Sequence, residues 1–466
     1  MVGRMKDKVK KVINFRFDRY KDIEIKLEKL AAKGLFLEEC GAFLWTFRKG
    51  EPKSLKYTVT YFSEGSVFNP DITDNQQTYL DYAKAAGWNF VTQFNQMQIF
   101  YSEADNPIPF ETDEKEKFDN IKRCMKKSFL PSIMIMMLVC VFNLVVQFNS
   151  FQLNPIEFLS DPGRLFSAAM ILAVVIYEVY FLLDYLIWCK RSERSIAGGG
   201  ECVENISMVR RIVHIIFMSF FLAGFGYFLY YLVFKISWFG VFLCIIQMPI
   251  LLIVFRLSIN YLKKKKASAA INKVISITVL IIADFVYLAF IVLFTIKLGF
   301  NLGADSDYRT IVWPVTATTS HEYRLYRDDI PLTCEALYGD LDYDYYSYEK
   351  EINSTLFLTQ SNYRQDSLPA KDAPPRLEYD ILEPQFKFVY HLAKNHLLEI
   401  PQWREDESYE PIDNKIFGTV EAYQQYYDDT PTGEYILLFE KKIIALNMEE
   451  PPTMKQISII KEKLRI

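Results

Sequence analysis

Four charged side chains stand inside otherwise apolar runs of this 466-residue chain: Glu178, Asp184, Arg256 and Asp284. A charge in the hydrocarbon of a bilayer is costly, so one that persists there pairs, protonates or lines a path for ions. At about 1.5 Å of helix rise per residue, Asp184 and Arg256 fall at one depth, and Glu178 and Asp284 at a deeper one. The first two suit an ion pair across helices. The second two are acids at a common depth, and if adjacent they share a proton, because neighbouring carboxylates resist ionising together. Two readings follow: an ion or proton pathway, or polar fasteners that fix helix order.

The signatures of common enzymes do not stand out beside these. There is no G-x-S-x-G, Walker A or G-x-G-x-x-G. His391 and His396 are five apart, not the i, i+4 pair of an HExxH zinc helix. The run Asp340-Leu-Asp-Tyr-Asp344 lacks the glycine at the sixth position of a calcium loop. Seven cysteines include no C-x-x-C. Cys202, beside Gly198-Gly-Gly200, is the thiol best placed for reactivity, and an inert cysteine is the simpler reading without a depressed pKa. The expectation is therefore a non-enzymatic protein with no cofactor and no metal.

The elements that must position the four charges are long apolar runs: Ser128–Phe148, Leu165–Cys189, Ile212–Phe234, Trp238–Leu262 and Val274–Ile296. A helix needs about 20 apolar residues to cross the hydrocarbon, and uniformly apolar runs of that length are helices. Five transmembrane helices between residues 128 and 296 are expected. Basic residues concentrate in alternate connections. Lys115, Lys117, Lys122, Arg123, Lys126 and Lys127 precede the first run. Lys190, Arg191, Arg194, Arg210 and Arg211 follow the second, and Lys263–Lys266 with Lys273 follow the fourth. Arg164 and Lys235 stand alone in the other two connections. The excess of positive charge on the inner side places the N-terminus in the cytoplasm and the C-terminus outside a cell membrane crossed several times. His214, Lys235 and Trp238 read as interfacial positions. The polar, basic start of the chain, with Arg4, Lys6, Lys8, Lys10 and Lys11, has no apolar core of a cleaved signal peptide.

The first 103 residues read as an α+β domain. Tyr20, Ile23, Leu27 and Leu30 recur at helical spacing before Gly34, and Leu80 and Ala83 do so before Gly87. Alternating strands surround both helices, and Leu30-Ala-Ala-Lys-Gly34 is echoed by Ala83-Lys-Ala-Ala-Gly87. A ferredoxin-like β-α-β-β-α-β sandwich with an extra hairpin is expected. Its aromatics, Trp45, Tyr57, Tyr61 and Trp88 among them, suit either a ligand groove or a two-layer core. Residues 104–127 form a charged linker that turns helical.

Phe15-Arg-Phe17, Leu30-Ala-Ala-Lys-Gly34, Phe43–Lys49, Tyr57–Tyr61, Ala86-Gly-Trp88 and Gln98–Tyr101 together resemble the DUF2812 domain. That is a domain of unknown function from Gram-positive bacteria, commonly followed by transmembrane helices. The resemblance covers residues 10–103. It implies a bacterial membrane protein and, through genomic company, a PadR-like regulator as partner. It supplies no active-site residues.

Residues 301–466 hold 17 basic against 30 acidic groups, so the overall charge of −4 conceals a strongly acidic end. Strand-like stretches, a helix over Gln385–Leu398 and a final helix over Pro452–Arg465 point to an α+β extracytoplasmic domain. The whole is a multi-domain membrane protein. The leading expectation is a sensor or regulatory protein that couples the outer domain to a cytoplasmic partner, without direct contact with nucleic acid. The alternatives are a transporter or channel component using the intramembrane carboxylates, and a structural envelope protein.

Overall fold

The computed structural model describes residues 8–13, 20–41, 44–109, 111–203, 208–235, 238–298, 308–314, 320–339, 343–369, 371, 374–399 and 406–465. Phe15–Phe17, Phe43, Arg4, Lys6 and the 340–342 part of the acidic run lie outside the described residues. The chain divides into two compact units, Met1–Val141 with Ala173–Gly303, and Phe142–Leu172 with Ala304–Ile466.

The N-terminal domain repeats one motif. Strand β1 (Lys8–Val12), helix α1 (Tyr20–Ala31), β2 (Leu35–Glu39) and β3 (Leu44–Lys49) are followed by β4 (Lys56–Tyr61), α2 (Asp74–Ala85), β5 (Asn89–Phe94) and β6 (Met97–Ser102). Each strand–helix–strand–strand half makes its own three-stranded antiparallel sheet, ordered β1-β3-β2 and β4-β6-β5. The echo in the sequence is thus a repeat of topology. The described strands form two sheets, not the single sheet expected of a ferredoxin-like sandwich. The helix stops were legible: Gly34 and Gly87 both take positive φ, which glycine adopts without a Cβ clash. Thr73 caps α2 by accepting from the Gln76 N–H.

Helix α3 (Glu114–Cys124) runs through a π-helical turn, Met125–Phe129, into α4 (Leu130–Leu153). Then come α5 (Pro155–Ser160), α6 (Pro162–Ala197), α7 (Met208–Lys235), α8 (Trp238–Lys264) and α9 (Ala269–Leu298). Among the described residues, four stretches are long and apolar enough to cross a membrane: Glu114–Leu153, Pro162–Ala197, Ile246–Lys264 and Ala269–Leu293. Within α7, Ile212–Phe228 forms a shorter apolar helix among the described residues.

The C-terminal elements are β7 (Tyr308–Pro314), β8 (Ser320–Tyr326), α10 (Cys334–Tyr338), β9 (Tyr346–Ser354), β10 (Leu358–Ser367), β11 (Leu377–Pro384), α11 (Lys387–Leu398), β12 (Glu407–Pro411), β13 (Glu421–Tyr427), β14 (Thr430–Leu438), β15 (Ile443–Met448) and α12 (Met454–Lys463). Seven of the strands form one antiparallel sheet, ordered β12-β13-β14-β15-β11-β10-β9. Successive side chains on a strand point to opposite faces. Tyr435 and Leu437 accordingly join α12 residues Ile457 and Ile460 in one core. Ile436 and Leu438 join Val389 and Ala393 of α11 in another. Both faces are covered, so this strand reads as a continuous apolar run. The second core also holds Ile156, Phe158 and Leu159 of α5. The connection between the first two long helices is therefore part of this domain. The Thr355 hydroxyl donates to the Leu159 carbonyl at 2.5 Å, and Ser160 Oγ donates to Gln360 Oε1 at 2.8 Å.

Candidate coupling site between the N-terminal domain and the membrane helices

The core of the N-terminal domain does not stop at its own sheets. Ile23 and Leu27 of α1, Trp45 and Phe47 of β3 and Ile99 of β6 share one cluster with Phe118 and Ile121 of α3. The same cluster takes in Tyr185, Trp188 and Cys189 at the end of α6, and Cys202 beyond it. Trp188 is the pivot. Its ring lies 5.5 Å from Phe118 and 6.1 Å from Tyr185 between centroids, and its indole N–H donates to the Val203 carbonyl at 3.0 Å. The pattern of α6 explains this. Asp184, Tyr185, Trp188, Cys189 and Ser192 are its buried residues, spaced three and four apart on one face.

Ion pairs rim this seam. Lys21 meets Glu201 at 2.9 Å and Lys122 meets Glu193 at 2.6 Å. The Cys202 N–H donates to Glu114 Oε2 at 3.0 Å, and Lys117 lies 4.3 Å over the Tyr20 ring. Exposed pairs of this kind contribute about 0–1 kcal/mol, so they orient the seam while the aromatic core holds it. Burial, together with the neighbouring Glu114 carboxylate, pushes the Cys202 thiol up to about 12. It stays protonated at neutral pH and is the inert thiol of the two readings.

A second contact lies at the α8–α9 hairpin. The Phe68 ring meets Phe255 edge-on at 6.3 Å. The Phe68 carbonyl accepts from Asn272 Nδ2 at 3.0 Å. Asn272 is fully buried, and its Oδ1 accepts from Ser276 Oγ at 3.1 Å. Ser258 and Ser276 then bridge α8 and α9 at 2.9 Å. Lys127, at the π-turn, donates to the Ser63 carbonyl at 2.8 Å. The loop between β4 and α2 is thereby tied to three of the long helices.

Glu24, on α1, reaches β4, where it accepts from the Val59 N–H at 2.8 Å and from the Thr58 hydroxyl at 3.3 Å. Burial holds its carboxyl up at about 7, against the downward pull of these hydrogen bonds and of Lys117 and Lys21.

The four charges within the apolar runs do not gather. Asp184 is buried at 4% exposure beside Tyr185, whereas Arg256 is exposed on α8, and no ion pair joins them among the described residues. Asp284 accepts from Gln247 Nε2 of α8 at 2.8 Å. Glu178 instead lies within electrostatic reach of Cys140 on α4, and its buried Oε2 has no hydrogen-bond partner. Equal depth is a one-dimensional criterion, and the rotation of each helix decides who meets whom. The four groove candidates are all buried. Trp45, Tyr57 and Tyr61 belong to the large core, and Trp88 belongs to a separate cluster with Ala83 and Phe100. Among the described residues, no group of three or more His, Cys, Asp or Glu side chains is arranged to hold a metal ion.

Sequence reasoning missed Trp188, Phe68 and Asn272. Trp188 and Phe68 read as ordinary apolar residues, and Asn272 as a polar residue near a helix start. Only the docking of the domain separates them from their neighbours.

Residues 19–133 match the family described as a protein of unknown function, DUF2812. The match runs beyond the second sheet through α3 and the π-turn into the start of α4, so the stretch read as a linker falls inside the matched region. No curated protein and no solved structure matches the chain.

Proposed function

We propose that this chain, with its DUF2812 region fastened to long apolar helices, is a membrane-embedded sensor or regulatory protein. In this reading α7 is a fifth span, the N-terminal domain is cytoplasmic and the acidic C-terminal domain faces outward. The C-terminal domain meets a cell-wall or small-molecule cue, and the N-terminal domain binds a soluble partner, a PadR-like regulator.

One observation carries the reading: the N-terminal core is continuous with the end of α6 through Trp188. A displacement of α6 along or about its axis must then repack the domain, because packed cores shift between discrete arrangements and do not stretch. The segments tied to the N-terminal domain follow the second and fourth predicted spans, and α5, packed in the C-terminal core, follows the first. That alternation supports an odd number of crossings between the two domains, as does the distribution of Lys and Arg.

A second reading, an ion pathway, draws on the buried Glu178 Oε2 that lacks a hydrogen-bond partner. It ranks lower because Asp284 is engaged by Gln247 and Arg256 stands apart from Asp184.

The test is co-purification of the full-length protein from native membranes. A stoichiometric soluble regulator, lost on Trp188→Ala with the protein still present in the membrane, is the expected result. Recovery of abundant bulk proteins alone would leave the proposal without support.

A further inference from the structure

A cleft of about 440 Å³ opens between the loop that precedes α2 and the inner end of α8. Its floor is made of carboxamides. Gln76 of α2 is buried and donates to Gln93 Oε1 of β5, and Gln93 Nε2 donates to the Asn95 carbonyl at 2.6 Å. Gly65 lets the loop lie this close, since a Cβ there would come within 2.6 Å of both Gln93 Nε2 and the Asn95 carbonyl. Behind the floor, Gln98 pairs in register with Gln93. Gln98 is 0% exposed, and neither its oxygen nor its nitrogen has a hydrogen-bond partner. A buried unsatisfied amide is expensive and needs a reason.

Two opposite charges stand at the mouth, Asp71 from the loop and Lys263 from α8. They form no ion pair with each other among the described residues. A purely anionic ligand would be repelled by Asp71, and a purely cationic one by Lys263. A zwitterion satisfies both. An apolar groove runs along the α8–α9 hairpin, lined by Val254, Leu257, Tyr261, Leu262, Ile275 and Val279. It ends at Leu262, one residue before Lys263. A polar cleft and an apolar groove lined by successive residues, Lys263 and Leu262, of one long apolar helix have the division of an amphiphile.

We propose that this site holds an aminophospholipid, with its phosphate toward Lys263, its ammonium toward Asp71 and the carboxamide floor, and an acyl chain in the groove. The assignment rests on the membrane placement of α8, and not on the signalling role. It makes the lipid a wedge between the N-terminal domain and the hairpin that Phe68 and Asn272 hold.

Lipid retention on the purified full-length protein, followed by native mass spectrometry, is the test. Phosphatidylethanolamine should remain bound in preference to phosphatidylglycerol and phosphatidylcholine. Phosphatidylglycerol lacks the ammonium, and the quaternary ammonium of phosphatidylcholine cannot donate to Asp71. Lys263→Gln and Asp71→Asn are surface changes that leave the core intact, and each should weaken retention about ten-fold, as expected for one lost charge-assisted hydrogen bond. Equal retention of the three lipids would overturn the proposal, as would unchanged retention in both variants. Displacement by soluble phosphoethanolamine as effective as that by a short-chain phosphatidylethanolamine would overturn the lipid assignment. Loss of the regulator in the pull-down with lipid selectivity intact would fault the signalling reading alone.

Discussion

Glu24 shows how one side chain links sequence to behaviour. It reaches from α1 to β4, accepts from Val59 and Thr58, and titrates at about 7 because burial outweighs those hydrogen bonds. Its folded value is raised above the unfolded one, so the folded state keeps a proton that the unfolded chain releases at intermediate pH. The associated stability is full below the unfolded value near 4.5 and is lost as pH rises through about 7. Glu24→Gln keeps the acceptor oxygen and removes the titration. Denaturation across this range should show wild-type stability falling relative to the variant by on the order of 3 kcal/mol, because each pH unit between the unfolded and folded values is worth about 1.4 kcal/mol. Parallel curves for the two proteins would show that Glu24 is solvated and ordinary. Cys202, on the same seam, reads as inert in the sequence, and the fold holds its thiol protonated for a reason the sequence did not contain: burial beside the Glu114 carboxylate.

At the scale of elements, the seam between α3 and α6 ranks two kinds of contact. Trp188 is buried to 1% exposure among Phe118, Tyr185 and Cys189, while Lys122 and Glu193 pair in the open. Trp188→Ala should cost about 3–5 kcal/mol through the cavity it leaves. Lys122→Ala should cost less than about 1 kcal/mol and become neutral in high salt. Thermal unfolding of the detergent-solubilised protein gives both values. Similar losses in the two variants would mean that the ion pair carries more of the seam than its exposure allows. Helices α1 and α2 were legible because periodicity and terminal glycines mark them locally. The division of six strands into two sheets was not, because strand partners lie far apart in sequence and alternation fits either arrangement. Trp45, Tyr57, Tyr61 and Trp88 illustrate the point. Alternating aromatics serve a groove or a core equally well, and the covering helices settle which.

For the whole molecule, the five-span reading makes a prediction that depends on no detail of packing. Single cysteines placed at Lys415 and at Lys84, both exposed, should differ in intact cells. An impermeant thiol reagent should label the Lys415 position from outside and reach the Lys84 position only after the membrane is opened. Labelling of both from one side would require an even number of crossings and a different role for α7. The native cysteines at 40, 124, 140, 189, 202 and 334 are buried and should give little background.

The sequence by itself determined which segments are greasy enough to leave water, where positive charge collects beside them, and where helices stop, since each of these depends on residues adjacent in the chain. Tertiary structure alone decided that Asp184 is buried while Arg256 is exposed, that Asp284 answers to Gln247, and that the end of α6 belongs to the core of the N-terminal domain. Those outcomes follow from helix rotation and sheet partnership, which long-range packing selects among arrangements that the local pattern leaves equal.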